Sequence, residues 1–220
     1  MNNNLYNQKN SFLDTMTLKE DKELLRKSVY DNLFEKGFSK RKNGDYGKIP
    51  DFKGSDIAAK LLSQTDEWKK AETIFSSPDS AQTPVRYLAL KENKKLVMAS
   101  PNLTHGYLFL DGSKINRFEK EASTKEGAFK HCIKRDMDNI KIDLVVEGSL
   151  AVDKKGHRIG KGKGFADREI HDLLNRKLID ENTSICTTIH PLQLVSYVPT
   201  ESHDMKINMI VTTNEIIIIN

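Results

Sequence analysis

The feature that most narrows the fold is a succession in the second half of the chain: an apolar run, a glycine-rich basic loop, then an amphipathic helix. The largely apolar run Asp143–Val146 reads as a strand buried on both faces. Ser149–Val152 reads as another strand and Asp153–Gly156 as a turn. Arg158–Arg168 is a loop, and the helix after it places Ile170, Leu173, Leu174 and Leu178 on one face. A strand apolar on both sides needs a layer against each face, so this succession predicts parallel strands between helices.

The rest of the chain agrees. Thr17 followed by Glu20 is a capping box, and Leu24, Leu25, Val29 and Leu33 form a helical stripe that Gly37 ends. Residues 38–50 are turn-rich and basic, and Gly54–Leu62 reads as a second helix. Ala71–Ser76, Lys95–Ala99 and Gly106–Leu110 read as strands, and Lys125–Cys132 as a helix; Arg86–Leu90 fits either. Ser184–Ile189, Leu192–Tyr197, Met209–Thr212 and Glu215–Ile219 are strand-like. No repeat and no linker interrupts the pattern, so residues 17–220 are expected to form one domain after a flexible, Asn-rich tail over 1–16.

Composition excludes several classes. The longest apolar run, Ile216–Ile219, is far below the roughly 20 residues that cross a bilayer, so no membrane partner is expected. Residues 1–9 have neither a basic nor an apolar region of the secretory kind. Cys132 and Cys186 are far apart and read as reduced thiols of a cytoplasmic protein. The balance of 35 basic and 31 acidic residues argues against a nucleic-acid surface.

Arg158–Asp167 carries most of the chemistry. Gly160, Gly162 and Gly164 alternate with Lys161 and Lys163. Alternating glycines reach backbone conformations closed to other residues, so successive N–H groups can converge on an anion. The helix that follows adds partial positive charge at its N-terminus. Arg158, Lys161 and Lys163 add full charges, and Asp167 at the helix start suits Mg²⁺, directly or through water. The bland alternative is a solvated basic turn. Neither a P-loop nor a dinucleotide fingerprint fits: no Gly-Lys-Ser/Thr follows at the required spacing, and the sixth position from Gly160 is Phe165.

With that loop, the sequence resembles the 5-formyltetrahydrofolate cyclo-ligase family, also called methenyltetrahydrofolate synthetases, over nearly the whole chain. Lys22–Arg26, Asp143–Asp153, Arg158–Asp167, and Gln193, Pro199 and His203–Asp204 carry the likeness. The resemblance implies a three-layer α/β/α fold with a largely parallel sheet, of the cyclo-ligase (NagB/RpiA/CoA transferase-like) type. It also implies an ATP- and Mg²⁺-dependent reaction. The formyl oxygen of 5-formyltetrahydrofolate, or of a related N-formyl compound, is phosphorylated, a neighbouring amine attacks, and phosphate leaves. In that frame Arg158 and Lys163 are the catalytic charges. Lys22, Arg26, Gly160, Lys161, Gly162, Lys163, Gly164 and Phe165 hold the ATP phosphates, Asp167 places the metal, and His190 and Gln193 line the substrate side.

Each assignment has a rival. Lys22 could be a solvated helix lysine, Arg26 could pair with an acid on its own helix, and Asp167 could serve the helix dipole. The family's loop ends Tyr-Tyr-Asp where this chain has Phe165-Ala166-Asp167, and no folate-binding glutamate is evident over Ser77–Arg86. Lys48–Gly54 and Gly164–Asp167 look closer to the methenyltetrahydrofolate synthetase domain-containing branch, some of whose members are linked to thiamin metabolism. The second function is therefore a nucleotide- or metabolite-binding paralog without turnover. The histidines lack zinc spacing, Cys186 and His190 fall on one face of a predicted strand, and Trp68 reads as a core anchor. Ser39–Asn43 reads as a solvated loop or a site for a polyanionic tail, or, over residues 39–48, for RNA. Oligomeric state leaves no trace in the sequence.

Overall fold

A computed structural model describes residues 17–100, 103–134, 136–137 and 140–219; the expected tail over 1–16 lies outside them. The first helix, α1 (Leu18–Glu35), starts on the capping box as read: Thr17 Oγ1 accepts from the Glu20 amide at 3.3 Å, and Glu20 accepts from the Thr17 amide at 2.8 Å. The chain reverses at Gly37, φ +72°. Helices α2 (Ser55–Leu62) and α3 (Asp66–Lys70) follow. Trp68 of α3 is fully buried and donates its indole N–H to Glu92 at 2.7 Å, which makes it the anchor expected.

Strand β1 (Thr73–Ser76) leads through a 3₁₀ turn into α4 (Thr83–Lys91), so Arg86–Leu90 is helical. Pro84 stands in the first turn, where no intrahelical N–H is required. Next come β2 (Lys95–Ala99), β3 (Tyr107–Asp111) and the short helices α5 (Gly112–Ile115), α6 (Glu119–Ala122) and α7 (Lys125–His131). Of these, α3, α5 and α6 escape a reading by periodicity because one turn shows no period. The remaining elements are β4 (Leu144–Glu147), β5 (Ala151–Asp153), β6 (Arg158–Ile159), α8 (Phe165–Asn175), β7 (Ser184–Thr188), β8 (Leu194–Val195), β9 (Met209–Val211) and β10 (Ile216–Ile218).

Seven strands form one sheet in the order β10-β9-β7-β4-β1-β2-β3. The five inner strands pair in parallel, and β3 and β10 close the edges antiparallel. Phe75 stands opposite Val97 on one side and Val145 on the other. Side chains alternate between two apolar layers. Ile74, Leu144 and Val146 pack with Trp68, Val85 and Ala89 of α3 and α4; Phe75 and Val145 pack with Ile170 and Leu173 of α8. Burying one such side chain contributes roughly 1.5–3 kcal/mol, and helices on both faces give the three-layer α/β/α architecture.

One feature departs from the expected single sheet. Strands β6, β5 and β8 form a second, three-stranded sheet, a hairpin around Asp153–Gly156 joined by a parallel β8. The expected strand Leu192–Tyr197 shrinks to Leu194–Val195 because Pro191 opens a 3₁₀ turn in front of it. Val29 and Leu33 of α1 pack with Leu150, Ala151 and Ile159 of this small sheet. That contact sets α1 beside β6 and the glycine loop. Among the described residues no helix is long and apolar enough to cross a membrane.

Candidate active site

The parallel strands β1 and β4 end at a cleft of about 500 Å³. A twisted parallel sheet binds ligands at the carboxyl ends of its strands, and the volume suits a small molecule. It is lined mainly by α1, the turn after β1, the end of β4, the loop from β6 into α8, and Glu201, His203 and Asp204, with Ile49, Ser100 and Lys125 at its margin.

The loop justifies its glycines at two positions. Gly162 (φ +90°) and Gly164 (φ +60°) adopt the left-handed conformation that β-carbons disfavour; Gly160 does not. Gly164 is the residue before α8, an 11-residue helix, so the unbonded first-turn amides of the helix face the cleft end of the loop. Arg26 lies under the loop, its Nε donating to the Gly160 carbonyl at 2.9 Å and its Nη1 paired with Glu23 at 2.6 Å. The same-helix pairing weighed as the rival is thus present, together with a loop-bracing role.

Arg158 is 4% exposed. Its Nη2 donates to Asp167 Oδ1 at 2.7 Å, and Nε has no partner among the described residues. The same Oδ1 accepts from the Met205 amide at 3.1 Å. Asp167 therefore orients Arg158, and only its Oδ2 is without a hydrogen bond among the described residues. Lys161 Nζ stands 3.7 Å from Asp79 and 5.5 Å from the centre of the Phe165 ring, which Arg168 covers at 4.9 Å. Lys163 is exposed on the loop and carries no ion pair among the described residues.

Lys22 is buried, not solvated. Its Nζ donates to Glu201 at 2.8 Å and Asp204 at 3.0 Å. Burial alone lowers its pKa, but the two carboxylates outweigh it and hold the ammonium above the usual lysine range. Glu201, His203 and Asp204 are the one trio among the described residues whose ligand atoms lie within 4.8 Å of one another; Lys22 is already their cation.

Three carboxylates facing the cleft were not singled out by sequence. They are Asp79 after β1, Glu147 at the end of β4, and Glu169 in α8. Burial, then the neighbouring Glu169, pushes the Glu147 carboxyl well above the usual range. Burial, then Asp79, pushes Glu169 up to about 7. Gly148 lets the chain pass this close: a β-carbon there would sit 2.6 Å from Asp79 Oδ2. The missed signal was a single acid ending an otherwise apolar, doubly buried strand. The residues fit a divalent cation: Glu147 Oε1 is buried without a hydrogen-bond partner among the described residues, and oxygen donors of this kind suit Mg²⁺.

His190 and Gln193 do not line the cleft. His190 packs its ring against Phe38, tilted by 35° at 4.1 Å between centroids, and its Nδ1 accepts from the Leu192 amide, while Gln193 accepts from the His190 amide and donates to the Ser149 and Leu150 carbonyls. The pair locks the 3₁₀ turn that Pro191 starts. Cys186 is fully buried with its thiol pKa pushed up by burial, which removes it as a nucleophile. Lys40 pairs with Asp51 and bonds Ser55, and Arg41 is held by Asp45, Ile49 and Ser80, so the basic segment braces its own loop.

Known proteins align with this arrangement. A methenyltetrahydrofolate synthase domain-containing protein of Danio rerio is 31% identical over 206 residues, covering 90% of this chain and 53% of that protein. Its Bos taurus counterpart is 28% identical over 202 residues, covering 89% and 53%. The chain thus spans about half the length of the curated relatives it matches. The 5,10-methenyltetrahydrofolate synthetase of Aquifex aeolicus shares the fold with a TM-score of 0.56 at 18% identity, covering 93% of this chain and 94% of that one. A model of the 5-formyltetrahydrofolate cyclo-ligase family matches residues 18–213, taking in α1, the glycine loop and the 201–204 segment. On that span, the chain belongs to the 5-formyltetrahydrofolate cyclo-ligase family.

Proposed function

We propose that the chain is an ATP- and Mg²⁺-dependent cyclo-ligase acting on 5-formyltetrahydrofolate or a related N-formyl compound. The observation that carries this reading is the buried Arg158, whose Nε lacks a hydrogen-bond partner among the described residues beside a loop with two left-handed glycines and the start of α8. An orphaned cationic N–H next to converging backbone amides is the complement of a phosphate oxygen.

The reaction moves the γ-phosphoryl group to the formyl oxygen, turning a poor leaving group into a good one. The amine then bonds to the formyl carbon and loses its proton, and the C–O bond breaks to release phosphate. In phosphoryl transfer a protein mainly positions groups and neutralises charge. Here Gly162 and Gly164 aim the loop amides, and Arg26 holds the loop in shape from below. Lys161 and Lys163 supply mobile charge, and Arg158, fixed by Asp167, supplies a rigid one. Lys22 ties α1 to residues 201–204 and so closes one wall of the cleft. Asp79, Glu147, Glu169 and Asp167 Oδ2 are the donors available to Mg²⁺, which supplies neutralisation of phosphate charge when bound.

Phosphate release from Mg-ATP, with and without 5-formyltetrahydrofolate, tests the reading alongside absorbance of the methenyl product. Release that depends on the folate and is lost in Lys163→Ala is expected. ATP binding without turnover on any N-formyl compound would sink it in favour of the non-turning paralog, which Ala166 in place of the family's second tyrosine favours.

A further inference from the structure

One buried charge takes no part in the phosphate chemistry. Arg86 of α4 is 1% exposed and forms no ion pair among the described residues. Four of its five donors go to neutral oxygens. Nε donates to the Ser123 carbonyl at 2.8 Å, Nη1 to the Ser77 carbonyl and to the Asp79 carbonyl at 3.1 Å, and Nη2 to Thr83 Oγ1 at 3.0 Å. Burial lowers its pKa to about 10, and the charge of Asp79 opposes that fall. A guanidinium taken out of water costs stability that an apolar side chain would not. Its retention points to the geometry it imposes.

The three carbonyls belong to two separate segments. Ser77 and Asp79 lie in the turn after β1, which lines the cleft. Ser123 follows α6, and two residues later Lys125 opens α7 at the cleft margin. The junction between these helices is tight. Thr124 Oγ1 accepts from the Gly127 amide at 3.0 Å, and a β-carbon at Gly127 would sit 2.0 Å from the Glu121 carbonyl oxygen. By clamping Ser123 to the turn after β1, Arg86 fixes where the Lys125 backbone stands. Lys125 itself makes no hydrogen bond or ion pair among the described residues. The other lysines and arginines of the cleft come from α1 and from Arg158–Lys163, so Lys125 brings positive charge from a wall of its own.

We propose that Lys125 receives a carboxylate of the formyl substrate and that Arg86 is the positioning residue that presents it. The assignment rests on the cyclo-ligase reading for the identity of the substrate. It narrows the substrate class to N-formyl compounds with an acid group away from the formyl oxygen, and 5-formyltetrahydrofolate, with its glutamate carboxylates, is one of them.

Isothermal titration calorimetry of the full chain, without nucleotide, compares 5-formyltetrahydrofolate with its diamide, in which both carboxylates are amides. Lys125→Met is expected to weaken binding of the diacid about tenfold, the size of one hydrogen bond to a charged group, and to leave the diamide near wild type. Arg86→Lys keeps the charge, but one ammonium cannot hold three carbonyls in two segments, so it should lose most of the same preference for the diacid. The double variant should then bind within about twofold of Lys125→Met, since residues that act through one contact are not additive. A general loosening of the fold would instead weaken both ligands alike, and a thermal melt of each variant accompanies the titrations. Unchanged diacid affinity in Lys125→Met would overturn the assignment. So would weaker binding of a non-hydrolysable ATP analogue in that variant, which would give Lys125 to the nucleotide. Losses that multiply in the double variant would remove Arg86 from the role. If the wild-type chain binds neither folate ligand, this assignment and the cyclo-ligase reading fall together; binding as expected without turnover sinks the cyclo-ligase reading alone.

Discussion

Glu169→Gln should make the ligand-free protein more stable, and only above mildly acid pH. Burial and Asp79 raise the Glu169 carboxyl from 4.5 to about 7 in the folded protein. Below about pH 4.5 the group is protonated in both folded and unfolded chains, so it costs nothing. As the pH climbs, the unfolded chain loses its proton first while the fold still retains one, and stability falls until the pH passes about 7. Above that the ionised group disfavours the fold by roughly 3 kcal/mol, at about 1.4 kcal/mol for each pH unit between the two values. Glutamine removes this whole profile. Because Glu169 is also a cause of the rise at Glu147, its loss eases that carboxyl as well.

Urea or thermal unfolding of both proteins at pH 5, 6, 7 and 8 is the assay. Near pH 5 the two should differ by less than about 1 kcal/mol. At pH 8 the variant should melt roughly 6–12 °C higher, given about 2–4 °C per kcal/mol for a chain of this size. A difference that does not change with pH, or a variant less stable at pH 8, would refute the reasoning and place Glu169 in a wetter or better-paired environment.

Two further outcomes need only routine measurements. Gly162→Ala should lose roughly 1–3 kcal/mol on melting because an L-residue is strained at φ +90°; its β-carbon itself would only touch the Arg26 guanidinium, at 3.4 Å. Gly160→Ala, whose β-carbon meets only Ile49 at 4.0 Å, should melt near wild type; equal losses in the two would undo the argument about the loop. Native protein should expose Cys132 to a thiol reagent and protect Cys186, with both reacting after denaturation; rapid modification of two thiols in the native state would contradict the burial of Cys186.

What could be read beforehand was local. The Thr17 and Glu20 box spans three residues, and the β4 run and the α8 stripe are periodic, so both helix starts and the sandwich of parallel strands were legible. Alternating glycines made the loop's left-handed positions legible as a group, but Gly160, read the same way as Gly162 and Gly164, does not adopt that conformation. Lys22 was not legible as a buried cation, because its partner Asp204 lies 182 residues away. The small second sheet stayed hidden for a similar reason: β8 has two residues and pairs with β5 across the chain. His190 and Gln193 misled because Pro191 between them converts a predicted strand into a turn that locks itself.

The carboxylates show why a site is harder to read than a fold. Asp79, Glu147 and Glu169 stand in three segments, and each alone has an ordinary explanation as a turn acid, a strand end or a helix residue. Their meaning comes from Asp167, which holds Arg158 by Nη2, so that the guanidinium acts on Glu147 through its field and not through a hydrogen bond among the described residues. Among the described residues the cleft thus retains a cationic N–H and a carboxylate oxygen without hydrogen-bond partners. A fold selected for stability alone would join or delete them, since each uncompensated buried group is destabilising. Keeping both suits a ligand that carries phosphate and cation together, and the acid that separates them, Asp167, is the residue the loop motif ends on.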